Sequence, residues 1–507
     1  MGIPLVFDTA ANPAPWGPRL VLRADGGSTT GLGHVMRLLA LAEIVRRQFS
    51  ETVFVVQNPA DSLRGLLATA GLPVQELPEQ PLATEAVWLR QHLLRDDDVL
   101  VLDGYGFDFA YQQAVRRGAA KLVCLDDLHA FPFAADLVLN PAGGISEASY
   151  EVRTLGARLL AGPAFAPLRS AFQTSNELLA NPGTVLLCLG GADPHHLTQQ
   201  VATQLLALPE AAVQQLHVVV GPAYKGWQQL CEWGTSHPRL TLHRALPAAG
   251  LGALMRGCGA AVLSPSTVSY EYCAAGGGLL FTLPTADNQH DLDQFLRGAG
   301  LALPYPSVAN VLTGTEAVRV GARLRAAQRQ HFDGLAPTRL RQAFAALRIS
   351  APSFHLLPIA LSNSELLLAW TNDPVVRQHS FSPKPVARAE HEAWLRTRLA
   401  DPNSLLLLAE DIDSGAPVGL IRFQVAGTLA TLSYQLATAW RGRGLAAPLL
   451  LAGTEAVQQR FPRVRRVQGQ VRAANLASGR AFERAGFERA ALEADAPTGG
   501  LNFVWIA

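Results

Sequence analysis

The chain has 507 residues and a mass of 54.1 kDa, and at about 150 residues per domain this length predicts about three domains. Apolar residues make up 49% and charged residues 16%, so the composition is that of a folded protein and excludes a disordered one. The 42 Lys and Arg residues balance 41 Asp and Glu residues, and a near-neutral chain gives no reason to expect a nucleic-acid partner.

The five cysteines include no C-x-x-C pair, which excludes a disulfide scaffold and a Cys-rich zinc site and fits a reducing compartment. No uncharged apolar run approaches the roughly 18 residues that a membrane helix needs. The N-terminus lacks the basic stretch and apolar core of an export signal. We therefore expect a cytoplasmic protein with no membrane partner and no metal, with residues 1–18 as a loose leader.

A first α/β domain is predicted over residues 19–165. Its short strands are apolar along their whole length, which is typical of strands buried on both faces of a parallel sheet. A helix with one apolar face, predicted over His34–Gln48, follows the first strand. The predicted strands are Leu20–Arg23, Val53–Gln57, Val99–Leu102, Lys121–Leu125 and Leu137–Leu139.

The same rhythm of strands and helices restarts in a second α/β domain, predicted over residues 175–345. Two such domains in tandem leave a cleft between the carboxyl edges of two sheets, where ligands bind in this architecture. The predicted strands are Val185–Leu189, His217–Val220, Leu240–Leu242, Ala261–Leu263 and Leu279–Thr282.

A third domain, of α+β class, is predicted over residues 352–507. It opens with a strand meander, followed by a helix from about residue 444, a strand, and a helix that ends at Gly486. The predicted strands are Leu405–Glu410, Val418–Val425, Thr431–Leu436 and Val467–Val471.

A glycine-rich turn joins the first strand to the first helix, in the order Leu22-Arg-Ala-Asp-Gly-Gly-Ser-Thr-Thr-Gly-Leu-Gly-His34. Its glycines permit close backbone approach, and free N–H groups at the following helix N-terminus favour a phosphate. An ordinary tight turn is the alternative. The presence of His34 favours a functional site over an ordinary turn, because an apolar or capping residue would serve packing better in the first turn of the helix.

This turn, together with later segments in the same order, resembles the UDP-sugar hydrolase family of the pseudaminic acid pathway. That family is related to the GT-B glycosyltransferases, so the resemblance implies a GT-B-like pair of Rossmann-type domains over about 19–330. The further matching segments are Leu102-Asp-Gly-Tyr-Gly106, Leu125-Asp-Asp127, Leu189-Gly-Gly-Ala-Asp193, Ser264-Pro-Ser-Thr-Val-Ser-Tyr-Glu271 and Ala286-Asp-Asn-Gln289.

The family cleaves UDP-2,4-diacetamido-2,4,6-trideoxy-β-L-altropyranose at the C1–O bond with inversion. The resemblance implies that His34 activates the attacking water, and an imidazole is able to accept a proton near neutral pH. UDP leaves readily, so the paired carboxylates of ordinary glycosidases are not required. The implied substrate contacts are Asp25, Gly31, Gly33, Arg37, Tyr105, Gly190, Gly191, Ser266, Thr267, Glu271, Asn288 and Gln289.

Several of these residues also have a purely structural interpretation. Glu271 is expected to hold ribose hydroxyls, or else to be a solvated helix acid. Asn288 contacts substrate or caps a helix, and Tyr105 borders the sugar or fills the core. Asp25 and Asp103 close strands, where either could cap a helix. The pair His195-His196 has no third ligand at a recognisable spacing, so we do not predict zinc.

The C-terminal sequence Gln435-Leu-Ala-Thr-Ala-Trp-Arg-Gly-Arg-Gly-Leu-Ala446 resembles the acyl-CoA loop of GNAT acetyltransferases. Asn475-Leu-Ala-Ser478 and Phe482-Glu-Arg-Ala-Gly-Phe487 resemble the ending of that family, and N–H groups at such a turn are suited to a pyrophosphate. The implied acetyl-CoA contacts are Leu436, Arg441, Gly442, Arg443, Gly444, Leu445, Ala446, Asn475 and Ser478.

Phe482 departs from the GNAT pattern, which often has a tyrosine there whose phenol protonates the departing CoA thiolate. Phenylalanine has no such proton, so water or another group must replace it, or transfer is slow. The base that deprotonates the amine is left open among His379, Glu390 and His391.

The sequence therefore predicts a bifunctional enzyme, an N-acetyltransferase of a UDP-4-amino-sugar joined to an inverting UDP-sugar hydrolase. The first reaction makes the substrate of the second, and a tether raises local concentration. A GT-B glycosyltransferase that uses a UDP-amino-sugar donor and a non-catalytic sensor of nucleotide sugar and acetyl-CoA remain alternatives. Neither the sugar stereochemistry nor the oligomeric state follows from the sequence.

Overall fold

The computed structural model describes residues 18–26, 32–116, 121–173, 181–190, 193, 196–222, 224–349, 352–491 and 499–506. These residues form two compact units, of which one ends at Pro337 and the other begins at Thr338. Three sheets occur in this part of the chain, two in the first unit and one in the second.

The first sheet is parallel, and its strands follow the order β3-β2-β1-β4-β5-β6-β7. Its central strands are buried along their length because helices cover both faces. The strands are β1 (Arg19–Arg23), β2 (Glu51–Gln57), β3 (Val74–Leu77), β4 (Val99–Asp103), β5 (Lys121–Leu125), β6 (Leu137–Asn140) and β7 (Arg158–Ala161). The helices are α1 (Gly33–Val45), α2 (Asp61–Thr69), α3 (Leu82–Trp88) and α4 (Phe109–Arg116).

The second sheet is also parallel, with the strand order β10-β9-β8-β11-β12-β13. The strands are β8 (Asn181–Cys188), β9 (Gln215–Val220), β10 (Leu240–Arg244), β11 (Cys258–Leu263), β12 (Leu279–Thr282) and β13 (Leu303–Pro304). The helices are α5 (Leu197–Leu206), α6 (Trp227–Gly234), α7 (Ala248–Gly257), α8 (Thr267–Ala274), α9 (His290–Gly298), α10 (Val308–Thr313) and α11 (Ala317–His331).

Both parallel sheets reverse their strand order next to the first strand, between β1 and β4 and between β8 and β11. Ligands of such sheets bind outside the carboxyl ends of the strands at this reversal. The chain leaving β6 packs on the second sheet's helices, since Gly143 N–H donates to the Tyr270 hydroxyl at 3.2 Å. A side chain at Gly143 would collide with the ring of Phe295.

The third sheet is mixed, with the order β14-β15-β16-β17-β18-β20-β19, and only β17 and β18 pair in parallel. The strands are β14 (Phe354–Pro358), β15 (Ser404–Asp411), β16 (Pro417–Ala426), β17 (Leu429–Leu436), β18 (Arg466–Arg472), β19 (Glu488–Ala490) and β20 (Gly500–Ile506). The helices are α12 (Ala336–Leu347), which begins at the unit boundary, α13 (Ser364–Thr371), α14 (Pro374–His379), α15 (Arg388–Ala400), α16 (Ala446–Arg460) and α17 (Leu476–Arg484).

Alternation along β16 directs its side chains into two separate cores. Ile421 and Phe423 pack with Leu450 of α16 on one face, whereas Leu420 packs with Leu395 of α15 on the other. The sheet therefore has an α16 face and an α13–α15 face.

The structure confirms the predicted strands in all three regions, to within a few residues at each end. The strands that the sequence reading missed are β3, β7, β13, β14, β19 and β20, most of which lie at sheet edges. Edge strands carry polar residues on their open side, so they lack a continuous apolar run. Among the described helices, none has both the length and the apolar character to cross a membrane.

Candidate active sites

His34 lies in the first turn of α1, at the carboxyl edge of the first sheet. Its half-buried ring meets the ring of Tyr105 edge-on, with centroids 4.7 Å apart and planes at 88°. Tyr105 is 49% exposed, so the core alternative for this residue is wrong. A Cβ atom at Gly104 would lie 3.7 Å from His34 Nδ1, which places the imidazole directly over the end of β4.

Arg37, one turn after His34 in α1, connects this helix to the end of β4 and to the loop after β5. Its Nε and Nη2 atoms donate to the two oxygens of Asp103 at 2.9 and 2.6 Å, and its Nη1 donates to Asp127 at 2.8 Å. Burial opposes the Arg37 charge, but the two carboxylates outweigh it and raise the pKa of Arg37 above its usual value. The predicted substrate contact Arg37 therefore has all three guanidinium nitrogens engaged within the protein.

A second buried network stands at the ends of β1 and β2. Arg23, which is fully buried, donates to Asp25 at 2.6 and 2.8 Å and to Glu85 at 2.7 Å through two nitrogens. The Tyr111 hydroxyl donates to Glu85 at 2.6 Å, and the Gln57 amide also donates to it. Asp25 is 39% exposed at its side chain, so Arg23 holds a carboxylate that still reaches solvent.

Gly190, two residues after the end of β8, has φ of +95°, a conformation that favours glycine. A Cβ atom there would lie 3.9 Å from Ser264 Oγ, which in turn is 3.2 Å from Ser266 Oγ. Asp193 is buried and accepts from the N–H groups of Leu197 and Thr198 at the start of α5. Ser266 and the exposed Thr267 begin α8. Small polar groups therefore cluster at the carboxyl ends of the neighbouring strands β8 and β11.

Glu271 is 6% exposed, so the alternative of a solvated helix acid is wrong. Arg169 Nη2 donates to its Oε1 at 2.7 Å. Burial raises the pKa of Glu271, and Arg169 opposes that rise. The Glu271 carboxylate is thus held in place, with one oxygen bound by Arg169.

Of the remaining predicted substrate contacts in this unit, the structure describes the side chain of Gln289 and the position of Gly33, whereas for the others the residue or its side chain lies outside the described part of the chain. Gln289 Oε1 accepts from the Thr285 N–H at 2.7 Å, so this amide closes its own loop. Gly33 is the first residue of α1. Gly31, Gly191 and the side chain of Asn288 lie outside the described residues, as does His195 of the excluded zinc pair.

In the second unit, the glycine loop between β17 and α16 contains two glycines of positive φ. Gly442 and Gly444 have φ of +76° and +78°. Arg441 anchors the loop, because it donates to the Leu436 carbonyl at 3.1 Å and pairs with Asp373 at 3.2 Å. Asp373 also caps α14. Arg443 stacks on Trp440 at 4.8 Å, and the loop leads through Leu445 into Ala446, the first residue of α16.

A cavity of about 800 Å³ opens beside this loop. Pairing of β17 with β18 ends at Leu432 and Gly469, although β17 continues to Leu436 and β18 to Arg472. The separated strand ends leave backbone groups unpaired between them. Leu436, Arg441, Gly442, Gly444, Leu445, Ala446, Asn475 and Ser478 all line the cavity, while Arg443, the remaining predicted contact, is not in its wall.

Phe482 is buried in the core of the second unit, next to the gap between the strands. It stacks on Phe503 with centroids 5.0 Å apart, and a side chain at Gly469 would collide with it. Tyr434 meets Phe482 edge-on at 5.8 Å, and its hydroxyl lies 3.0 Å from Ser478 Oγ. Burial raises the pKa of Tyr434. The cavity wall therefore contains a phenol, that of Tyr434, although residue 482 does not supply one.

The three candidates for the acetyltransferase base separate by position. His379, at the end of α14, lines the cavity. Glu390 is exposed and His391 is buried, and neither is part of the described cavity wall. Burial lowers the pKa of His391, and its ring packs on Trp394.

Asp103, Asp127, Tyr434 and Arg422 are site-forming residues to which the sequence reading gave no definite role. Asp103 and Asp127 stand in two of the quoted motifs, at the ends of predicted apolar strands. Because ligands of parallel sheets bind at the carboxyl ends of strands, this position could have identified both residues as part of a site. Tyr434 and Arg422 lie inside strand patterns, where nothing local distinguishes a cavity wall from a solvated face.

Comparison with known proteins gives a family match for the C-terminal part of the chain. Residues 354–488 match the family described as acetyltransferase (GNAT) domain. This part of the chain is a GNAT acetyltransferase domain, and none of the comparisons assigns the whole chain to one family.

Three relatives match longer or more N-terminal parts. The uncharacterized protein MJ1062 of Methanocaldococcus jannaschii is 21% identical over 415 residues, covering 78% of this chain and 81% of that protein. UDP-2,4-diacetamido-2,4,6-trideoxy-beta-L-altropyranose hydrolase of Campylobacter jejuni is 24% identical over 194 residues, 37% of this chain and 65% of the relative. Spore coat polysaccharide biosynthesis protein SpsG of Bacillus subtilis is 26% identical over 205 residues, 39% of this chain and 58% of the relative.

The match thus spans under two thirds of the length of the hydrolase and of SpsG. Among solved structures, aminoglycoside acetyltransferase AAC(6')-Ib in complex with coenzyme A and kanamycin is 22% identical, with 30% of this chain and 95% of that chain covered and a TM-score of 0.27.

Proposed function

We propose that this chain acts on a nucleotide sugar at two sites: its second unit acetylates the amine of a UDP-4-amino-sugar, and its first unit hydrolyses the acetylated UDP-sugar to UDP and free sugar. The GNAT match over 354–488 and the distant similarity of the chain to a UDP-sugar hydrolase support the two halves. The observation that carries the proposal is the 800 Å³ cavity, which joins the glycine loop to the separated ends of β17 and β18.

Acetyl-CoA is the cosubstrate that this cavity fits. The N–H groups at the start of α16 have no side-chain cap and follow two glycines of positive φ, so a pyrophosphate can approach the backbone closely. The unpaired edge of β17 offers backbone groups to the pantetheine amides. Asn475 is partly used in capping α17, where it accepts from Ser478 N–H at 3.1 Å.

Acetyl transfer needs two proton movements in this cavity. The acceptor amine loses a proton to a base and attacks the thioester carbonyl, the new C–N bond forms, and the C–S bond breaks. The CoA thiolate then takes a proton. His379 is the imidazole in the described wall and serves as the base, and Tyr434 supplies the proton that Phe482 does not have. A phenol is protonated at neutral pH, as a proton donor requires.

Hydrolysis in the first unit needs a base and an anion cradle. His34 takes a proton from water as the water oxygen attacks the sugar C1, the C1–O bond breaks, and UDP leaves with the bonding electrons. Gly190, Ser266 and Thr267 would stabilise the diphosphate; the short distances from the Gly190 position to Ser264 Oγ and from there to Ser266 Oγ support this role. Glu271 would hold the ribose. Arg37 acts as a positioning residue, since it fixes α1 on Asp103 and Asp127.

The test is incubation of the full chain with a UDP-4-amino-sugar and acetyl-CoA, followed by NMR of the sugar and of UDP. We expect acetylation of the amine first, then release of UDP and a free sugar with inverted anomeric configuration. Release of UDP only when a second sugar or lipid acceptor is added would instead indicate a glycosyltransferase. Binding of both ligands without any product would indicate a sensor.

A further inference from the structure

The described wall of the acetyltransferase cavity carries positive charges and no negative ones. Among the described residues of its wall, six are arginines and none is Asp or Glu. Arg441 is paired at 3.2 Å with Asp373, outside the described wall, but the excess of positive charge would still repel an amine acceptor with several positive charges and attract an anion. The six arginines are Arg377, Arg422, Arg441, Arg472, Arg480 and Arg484.

Five of these arginines fall into two groups on opposite sides of the sheet, and the sixth, Arg472 of β18, donates to the carbonyls of Gln378 and Ser380 at 2.8 and 3.4 Å. Arg441 belongs to the glycine loop, and Arg480 and Arg484 lie on α17, all on the side where α16 begins and a CoA phosphate would bind. Arg422 points from β16 in the same alternation as Leu420, toward the α13–α15 face, and Arg377 lies on α14. The second group is therefore separate from the expected cosubstrate phosphates.

Arg422 and Arg377 have no carboxylate partner in the described chain. Arg422 Nε donates to Ser433 Oγ at 2.5 Å, and its guanidinium stacks on Trp394 at 4.6 Å. Burial, together with the nearby charges of Arg398 and Arg377, lowers the pKa of Arg422 to about 10. Arg377 uses Nη1 on the carbonyls of Ser382 and Lys384 at 3.2 Å, while its buried Nε has no partner.

Two neighbouring guanidinium groups held in a partly buried wall without a carboxylate cost free energy that an anion would recover. We infer that the acetyl acceptor is an amine that carries a phosphate or diphosphate, and that Arg422 and Arg377 bind this anionic group on the α13–α15 face of the sheet. This inference rests on the proposed acetyl transfer and names the recognition element of its acceptor. Arginine suits the task because its planar fork binds two phosphate oxygens at once.

The experiment measures CoA release by the full chain with five amines: a UDP-4-amino-sugar, a dTDP-4-amino-sugar, the amino-sugar 1-phosphate, the free amino-sugar and spermidine. Each is assayed with the unaltered protein and with Arg422→Gln, Arg422→Lys and Arg377→Gln. Arg396→Gln is the matched control, because Arg396 lies on α15 with 68% of its side chain exposed and is not in the described cavity wall.

We expect kcat/KM to be highest for the diphosphate-linked amines and lowest for spermidine. Arg422→Gln and Arg377→Gln should each lower the ratio of kcat/KM for the UDP-4-amino-sugar to that for the free amino-sugar by about tenfold or more, mostly through KM. Arg422→Lys should recover part of the ratio, and Arg396→Gln should leave it unchanged. The ratio is insensitive to a general loss of folded protein, since that loss lowers both values equally.

Preference for spermidine, or a ratio that none of the cavity variants moves, would overturn the inference. Acetylation of the dTDP-linked amine in place of the UDP-linked amine would leave the inference standing and would contradict the proposed UDP-sugar substrate. The two ideas therefore fail in different ways.

Discussion

The phenol oxygen of Tyr434 lies 3.0 Å from the hydroxyl oxygen of Ser478 in the wall of the acetyltransferase cavity. Phe482 borders Tyr434 without any polar atom of its own. The proton that leaves with CoA would therefore come from the strand β17 and not from the helix α17.

Replacing Tyr434 by Phe removes this hydroxyl and keeps the ring that packs on Phe482. We expect kcat for acetyl transfer to fall by about 10²-fold, with little change in the KM for acetyl-CoA, because general acid catalysis contributes about 10²–10⁴-fold. Stopped-flow or steady-state CoA release measures both constants. Tyr224→Phe, at a buried tyrosine of the other unit, is the control. An unchanged kcat would assign the proton to Ser478 or to water.

Replacing His34 by Ala removes the proposed water-activating base. We expect UDP release to fall by about 10²–10⁴-fold while acetylation of the UDP-4-amino-sugar continues at its normal rate. His92→Ala is the matched control, since His92 is exposed and stacks on Trp88. Phosphorus NMR of UDP together with a CoA assay reads both reactions in one sample. Equal slowing of both reactions would contradict the division of labour between the two units.

Replacing Gly444 by Ala tests the backbone of the glycine loop alone. A Cβ atom at Gly444 would meet nothing within 4 Å, but φ of +78° is unfavourable for alanine by about 1–2 kcal/mol. We expect the KM for acetyl-CoA to rise about tenfold with little change for the amine. Gly415→Ala carries the same backbone strain at φ of +65°, also with open space, in the turn between β15 and β16. If both variants alter the KM for acetyl-CoA alike, the loop does not bind the cosubstrate.

Replacing Glu85 by Gln tests the buried network behind Asp25. Burial opposes the Glu85 charge, but Arg23, Tyr111 and Gln57 together lower the pKa of Glu85 below its ordinary 4.5. Its stabilising effect is therefore full above about pH 4.5 and is lost as the pH falls through the lower folded pKa. At pH 7 the substitution should cost about 3 kcal/mol, the low end for a broken buried pair, because Asp25 still pairs with Arg23.

Calorimetric unfolding across pH 3–7 checks this expectation. The Glu85→Gln variant should lose less stability between pH 5 and pH 3 than the unaltered protein, since it lacks the group that titrates. Glu76→Gln, at an exposed carboxylate that pairs with Arg64, should change little at any pH. If the stability of Glu85→Gln falls with pH in parallel with that of the unaltered protein, the protonation of Glu85 does not cause the loss of stability between pH 5 and pH 3.

The amino-acid sequence alone determined most strands of the three sheets, the glycine loop before α16, and the helices α1 and α16. These features depend on contacts within a few residues: an apolar run makes a buried strand, and a glycine permits positive φ. The tertiary structure alone decided which charges meet. Arg37 and Asp127 are 90 positions apart and Arg169 and Glu271 are 102 apart. Arg422 faces a cavity whose wall, as far as the structure describes it, has no carboxylate. Pairing at such separations depends on how whole sheets and helices pack, and no local pattern of residues encodes it.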